Sequence, residues 1–152
     1  MYKKILVPID GSESSNRGLQ EALRLARHHG ARLQVLHVAD VLIMSPALEG
    51  GRYVAGALQT LREEGKSIVA KALAQARKRG VTADAVILEI VGGRAADLIV
   101  EQAKKWRADL IVVGTHGRRG LSRLFMGSDA EQVVRTAPVP VLTVRSRKTR
   151  AR

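Results

Sequence analysis

Residues 109–128 read DLIVVGTHGRRGLSRLFMGS. The first five residues form a short apolar run, typical of a strand that is buried on both faces of a parallel sheet. A loop rich in glycine and arginine follows, and an amphipathic segment begins after it. Ligands of open α/β sheets bind beyond the carboxyl ends of the strands. The stretch therefore predicts a parallel sheet with a ligand-binding loop after one of its strands.

Four more apolar runs have the same character. Each is short, rich in β-branched residues and mostly not alternating, which predicts strands buried on both faces. They span residues 3–10, 33–39, 83–91 and 139–145.

Helical patterns lie between these runs. The first two span residues 12–29 and about 54–79, with Gly30 and Gly80 as stops, and two shorter ones run over residues 96–106 and 130–137. Strands that alternate with helices indicate right-handed βαβ units and an open, doubly wound α/β sheet with four main helices. Residues 41–53 fit neither pattern and are predicted to form a flexible loop.

Composition and charge exclude several classes of protein. The 152 residues suit one domain, and the absence of cysteine excludes disulfide scaffolds and thiolate sites. The first apolar run stops at Asp10, too early for a signal peptide or a membrane span, so we expect a cytoplasmic protein that does not bind membranes.

The net charge of +12 is typical of proteins that bind nucleic acid, but much of this charge falls in residues 145–152. We expect residues 146–152 to be a solvated basic tail and disfavour nucleic acid.

The glycine-rich loop suggests an anion site. Its glycines permit positive φ and let backbone N–H groups approach an anion, and the hydroxyl of Ser128 lies at the start of the next helix. Arginine side chains of the loop add charge-assisted bonds to a phosphate. The residues concerned are Gly114, Gly117, Gly127, Arg118, Arg119 and Arg123.

A purely structural reading of the same loop stays open. Residues 128–131, SDAE, form a capping box in which Ser128 only caps its own helix. Asp129 and Glu131 also bring negative charge to the turn that would receive a phosphate, and the arginines are then solvated. Neither the P-loop motif nor the dinucleotide-binding glycine motif is present.

The glycine spacing itself resembles a known signature. Gly114-x2-Gly117-x9-Gly127-Ser128 matches the G-x2-G-x9-G-[ST] motif of ATP-binding universal stress proteins, and it follows the fourth strand as in that family. Residues 3–15, KKILVPIDGSESS, resemble the first strand and turn of the family, and LQVLHVAD and PVPVLTVR resemble its second and last strands. The resemblance covers nearly the whole chain, with residues 1–145 as the family domain.

The resemblance implies a Rossmann-like sheet of the adenine nucleotide alpha-hydrolase type, with strand order 3-2-1-4-5. It also implies a site for ATP, AMP or ADP, with Mg²⁺ or Mn²⁺ bridging the phosphates and no metal ligand from the protein. Asp10 corresponds to the acid that contacts the adenosine, although it also suits a helix cap. The other implied contacts are Pro8, Ile9, Ser12, Val38, Val113, Gly114, His116, Gly117, Arg118, Gly127, Ser128, Asp129 and Val141.

The resemblance also implies how the protein assembles. Family members dimerise through the last strand, here Val139 to Val144, and an apolar edge strand of this kind should be covered.

Efficient hydrolysis of ATP needs a positioned water, and no carboxylate in the loop has an evident role in positioning one. The sequence therefore favours a nucleotide-dependent regulator with an unknown protein partner. A weak ATPase, an autophosphorylating protein and a nucleic-acid-associated protein are the alternatives.

Overall fold

Five parallel strands form one open sheet in the computed structural model, which describes residues 1–41, 51–115 and 126–145, without the side chains of 51–55. The strands are β1 (Lys4–Pro8), β2 (Arg32–Asp40), β3 (Ala83–Ile90), β4 (Leu110–Gly114) and β5 (Val141–Val144). Their spatial order is β3-β2-β1-β4-β5, and every neighbouring pair is parallel. The predicted fold class and strand order are confirmed.

Four helices connect the strands. They are α1 (Glu13–His29), α2 (Gly51–Lys78), α3 (Ala95–Trp106) and α4 (Ser128–Thr136). The predicted loop over 41–53 is wrong at its end, because α2 already begins at Gly51, while residues 42–50 lie outside the described part of the chain. The glycines at 51 and 56 weaken the helical pattern here, and the apolar periodicity starts only at Leu58 and Leu61.

The apolar core is divided by the sheet into two layers. Ile5 and Val7 of β1 face α1 and α2, whereas Leu6 between them faces α3 and α4. Side chains of successive strand residues point to opposite faces, so a continuous apolar run fills both layers at once. The prediction of burial on both faces holds for β1, β2 and β4.

The two edge strands depart from that prediction. β3 and β5 are only partly buried, and Ile87 and Leu142 are 39% and 36% exposed. On β3 the guanidinium of Arg62 from α2 donates to both carboxylate oxygens of Glu89, at 2.6 and 3.1 Å. That hydrogen bond lowers the pKa of Glu89. A charged pair on an edge strand opposes pairing with a foreign strand.

A buried polar contact crosses the layer between the sheet and α3. The Gln102 side-chain amide of α3 donates to Gln34 Oε1 of β2 at 2.7 Å, and Gln34 Nε2 donates in turn to Asp84 Oδ1 of β3 at 2.7 Å. Gln34 and Gln102 are both buried. Buried amides need such partners, since an unpaired one loses its hydrogen bonds to water without replacement.

Membrane insertion finds no support in the helices that are described. None of them combines the length and the apolar composition that crossing a bilayer requires.

Candidate functional site

A cleft opens at the carboxyl edge of the sheet, where β1 lies between β2 and β4. The chain turns to opposite sides of the sheet after β1 and β4, so their two loops separate and leave a crevice at the point where the strand order reverses. The cleft has a volume of about 470 Å³. That volume lies within the range typical of small-molecule sites.

Most of the sequence-predicted contacts line this cleft. Those that do are Pro8, Ile9, Asp10, Val38, Val113, Gly114, Gly127, Ser128 and Asp129. Ser12 does not line it, and Val141 packs instead against the core layer beneath α3 and α4. His116, Gly117 and Arg118 lie outside the described residues, as do the other loop arginines and the tail over 146–152.

The turn after β1 is fixed by its own hydrogen bonds. The backbone N–H of Ser12 donates to Asp10 Oδ1 at 2.9 Å, and Ser12 Oγ accepts from the backbone N–H of Ser15 at 3.1 Å. Ser12 is thus the N-cap of α1, and the alternative in which Asp10 caps this helix is wrong. The carboxylate of Asp10 instead accepts a hydrogen bond within the turn, and Asp10 is among the residues that line the cleft.

Substitutions at Ser12 test whether this residue acts as a helix cap or as a ligand contact. We expect Ser12→Ala to lower the free energy of unfolding by about 1 kcal/mol, the usual cost of losing an N-cap. Ser12→Asn should keep the cap and the stability. Urea denaturation and nucleotide titration of both variants test this assignment. A fall in nucleotide affinity with unchanged stability would show that Ser12 contacts the ligand instead.

The start of α4 differs from the capping box that the sequence suggests. The N-cap is Gly127, Ser128 is the first helical residue, and no side-chain hydrogen bond caps the helix in the described part of the chain. The purely structural reading of Ser128 as its own helix's cap is therefore wrong. Because the first N–H groups of a helix have no partner within it, the uncapped start of α4 presents donors beside the cleft that Ser128 lines.

The two described glycines of the motif do not adopt the positive φ that the sequence suggests. Gly127 has a φ of −58°, and its N–H donates to the carbonyl of Thr115 at 2.6 Å, which joins the two ends of the loop. Gly114 lies in β4, and its φ is not positive either. A Cβ on Gly114 would lie 2.5 Å from the backbone carbonyl atoms of Ser14. Gly114 is therefore needed for the close approach of α1.

His37 is a buried residue of the cleft that the sequence prediction omits. Its Nδ1 lies 2.8 Å from the carbonyl oxygen of Ile9, so in the neutral ring Nδ1 carries the proton. This bond ties the carboxyl end of β2 to the residue before Asp10. Gly65 of α2 lies over the ring, where a Cβ would be 2.9 Å from His37 Cδ2. A histidine within a mostly apolar strand was the available signal.

The cleft lining also includes charged residues from elements that sequence reasoning did not place there. Asp40 ends β2, Glu64 belongs to α2, and Arg94 precedes α3. Within the described ranges, no group of three or more His, Cys, Asp or Glu side chains is arranged to hold a metal ion.

Comparison with known proteins agrees with this architecture. The family model described as the universal stress protein family matches residues 1–145. The chain is 39% identical over 150 residues to a universal stress protein of Methanocaldococcus jannaschii, covering 97% of this chain and 85% of that protein.

Two solved structures of the same family superpose on the chain. One, from Burkholderia pseudomallei, is 31% identical, with a TM-score of 0.78 and coverage of 95% of this chain and 97% of the other. The second, from Archaeoglobus fulgidus, is a complex with dAMP, 26% identical, with a TM-score of 0.65 and coverage of 94% and 98%. Sequence and structure agree over almost the full length, and the chain belongs to the universal stress protein family.

Proposed function

We propose that this protein binds an adenine nucleotide in the cleft and acts as a nucleotide-dependent regulator. The single observation that supports this most strongly is the convergence of Asp10, Val38 and Ser128 on one cleft at the strand-order reversal. These residues come from three separate segments of the chain, and all three are among the contacts that the resemblance to the family implies. The dAMP bound in the Archaeoglobus protein is consistent with an adenine nucleotide as the ligand.

The chemistry of the lining fits such a ligand. Apolar side chains of Ile9, Val38 and Val113 offer a surface for a base, and the carboxylate of Asp10 accepts hydrogen bonds from ribose hydroxyls. The uncapped start of α4 and the hydroxyl of Ser128 provide donors for a phosphate. ATP is our proposal for the resident nucleotide, with Mg²⁺ or Mn²⁺ bound through its phosphates near Asp129.

Occupancy and identity are tested together by mass spectrometry of the nucleotide released from the native protein on denaturation. We expect ATP, ADP or AMP at a substantial fraction of one equivalent. Isothermal titration of the stripped protein with ATP, AMP and GTP then tests selectivity for adenine. The proposal fails if the purified protein carries no nucleotide and binds none of the three.

A regulator differs from an enzyme in its turnover. We expect bound ATP to be hydrolysed more slowly than about once per minute, far below the rates of ordinary enzymes. A multiple-turnover phosphate-release assay measures this directly. Faster hydrolysis would favour the alternative of an ATPase, and labelled phosphate retained on the protein would favour autophosphorylation.

We expect the protein to form a homodimer through its last strand. β5 is an edge strand whose Leu142 is 36% exposed, and Val134 on the adjoining α4 is 44% exposed. Pairing of two β5 strands would cover these side chains and satisfy the open backbone groups of the edge. Light scattering at micromolar concentration should give twice the monomer mass. A monomer at all concentrations would contradict the prediction.

A further inference from the structure

The described part of the cleft lining carries more carboxylates than cations. Among the lining residues that the structure describes, four carry carboxylates, namely Asp10, Asp40, Glu64 and Asp129, and a single one, Arg94, carries a guanidinium. A cationic side chain in this lining is a candidate partner for an anionic ligand, because opposite charges attract at short range.

Arg94 stands where it can meet the phosphate end of a ligand. It immediately precedes α3, its side chain is exposed, and its Nη1 donates to Gln132 Oε1 of α4 at 3.4 Å. Gln132 lies four residues after Ser128, which is about 6 Å along a helix. The guanidinium therefore spans the rim of the cleft between α3 and the first turns of α4.

The present hydrogen bond of Arg94 is weak. Its acceptor is a neutral amide at the long limit of hydrogen bonding, and the contact is exposed to solvent. Arg24 and Arg62, by contrast, bind carboxylates at 2.5 and 2.6 Å. A phosphate would accept shorter, charge-assisted bonds from the other N–H groups of Arg94, and the planar guanidinium can form two of them at once.

We propose that Arg94 is a specificity-determining residue that recognises the phosphate of the bound nucleotide, and that Gln132 positions its guanidinium. This inference rests on the proposed nucleotide function of the cleft. It implies that the cleft distinguishes a nucleotide from the corresponding nucleoside through a residue outside the glycine motif. Sequence reasoning missed Arg94 because nothing in the chain links the β3–α3 turn to α4.

Isothermal titration of the nucleotide-free protein with adenosine, AMP and ATP tests the inference. We expect Arg94→Gln to weaken AMP and ATP binding about tenfold, as for the loss of a partly exposed charge-assisted bond, and adenosine binding by less than about twofold. Arg135→Gln is the matched control, because Arg135 lies on α4 with the same charge but pairs with Glu131 and does not line the cleft. It should leave all three affinities within about twofold.

Two further variants separate recognition from structure. Arg94→Lys keeps the charge but not the planar fork, and should recover only part of the lost affinity. Gln132→Leu should weaken AMP binding less than Arg94→Gln does, because the guanidinium is retained. Thermal unfolding of each variant should match that of the parent protein.

The possible failures are distinguishable. If the parent protein binds no nucleotide, both the proposed function and the role of Arg94 are overturned. If the parent binds AMP and Arg94→Gln binds it equally well, the role of Arg94 alone is overturned. An equal loss for adenosine and AMP would show that Arg94 shapes the cleft and does not read the phosphate.

Discussion

Gly114→Ala should destabilise the protein by about 3 kcal/mol or more, at the upper end of what overpacking costs. The added Cβ would lie 2.5 Å from the backbone carbon and oxygen of Ser14 and 2.6 Å from its Oγ. These atoms belong to the first turn of α1, which cannot withdraw locally because Leu19 and Leu23 hold the helix in the core. A Cβ at Gly18 would in turn meet the backbone nitrogen of Gly114 at 3.2 Å. Helix and strand are thus in backbone contact at this point.

Urea denaturation of the purified variant measures the effect, and a thermal scan should show a fall of roughly 6–12 °C for a chain of this size. Gly56→Ala is the matched control, because a Cβ at Gly56 has no neighbour within 4 Å. That change should leave the protein as stable or stabilise it by up to about 1 kcal/mol, since alanine is the better helix former. Equal stability of Gly114→Ala and the parent protein would refute the packing role of Gly114.

Gln102→Leu should lower the free energy of unfolding by about 2 kcal/mol. The side chain of Gln102 is 7% exposed and donates to Gln34 Oε1, so its removal leaves a buried acceptor without a partner. Leaving one partner of a buried hydrogen bond unsatisfied costs more than the net value of the bond itself. The leucine has a similar volume, so a cavity contributes little. Chemical denaturation measures the loss.

A double-mutant cycle tests whether the unpaired acceptor of Gln34 causes the loss of stability. Gln34→Leu combined with Gln102→Leu removes both polar groups, and Asp84 keeps its contact with Arg32 and its access to water. The pair should therefore lose less stability than the sum of the single changes. Gln59→Leu provides the control, because Gln59 is exposed and bonds only Glu63 on its own helix. It should shift stability by less than about 0.5 kcal/mol. Additive losses in the cycle would contradict the role of the buried pair.

Local patterning was enough to predict the sheet and most of its helices. Apolar runs such as KILVP predict strands because a continuous apolar sequence fits burial on both faces of a sheet. The strands β1, β2 and β4 are buried in this way. The strand order came from the resemblance to the family, since parallel strands joined by helices do not reveal their order through periodicity. The same limitation explains the edge strands. β3 and β5 have apolar sequences like the others, and only their place in the sheet leaves them half exposed.

The glycine motif shows where local reasoning misjudged the cause. Its spacing identified the family, but positive φ was the wrong explanation for Gly114 and Gly127. The contact that requires glycine at 114 comes from α1, about one hundred residues earlier in the chain. A hydrogen bond from Gly127 to Thr115 closes the loop.

The sequence by itself determined the fold class, the family and the residues that the motif carries, because strand runs, helix periods and glycine spacing are all local patterns. Tertiary structure alone decided that His37, Glu64 and Arg94 share a cleft with Asp10 and Ser128. These residues lie on five different segments, and their proximity depends on the order of the strands and the side on which each helix packs. Position 114 requires glycine because of its contact with α1, and the proposed role of Arg94 depends on α4. In both cases the deciding neighbour is distant in the chain.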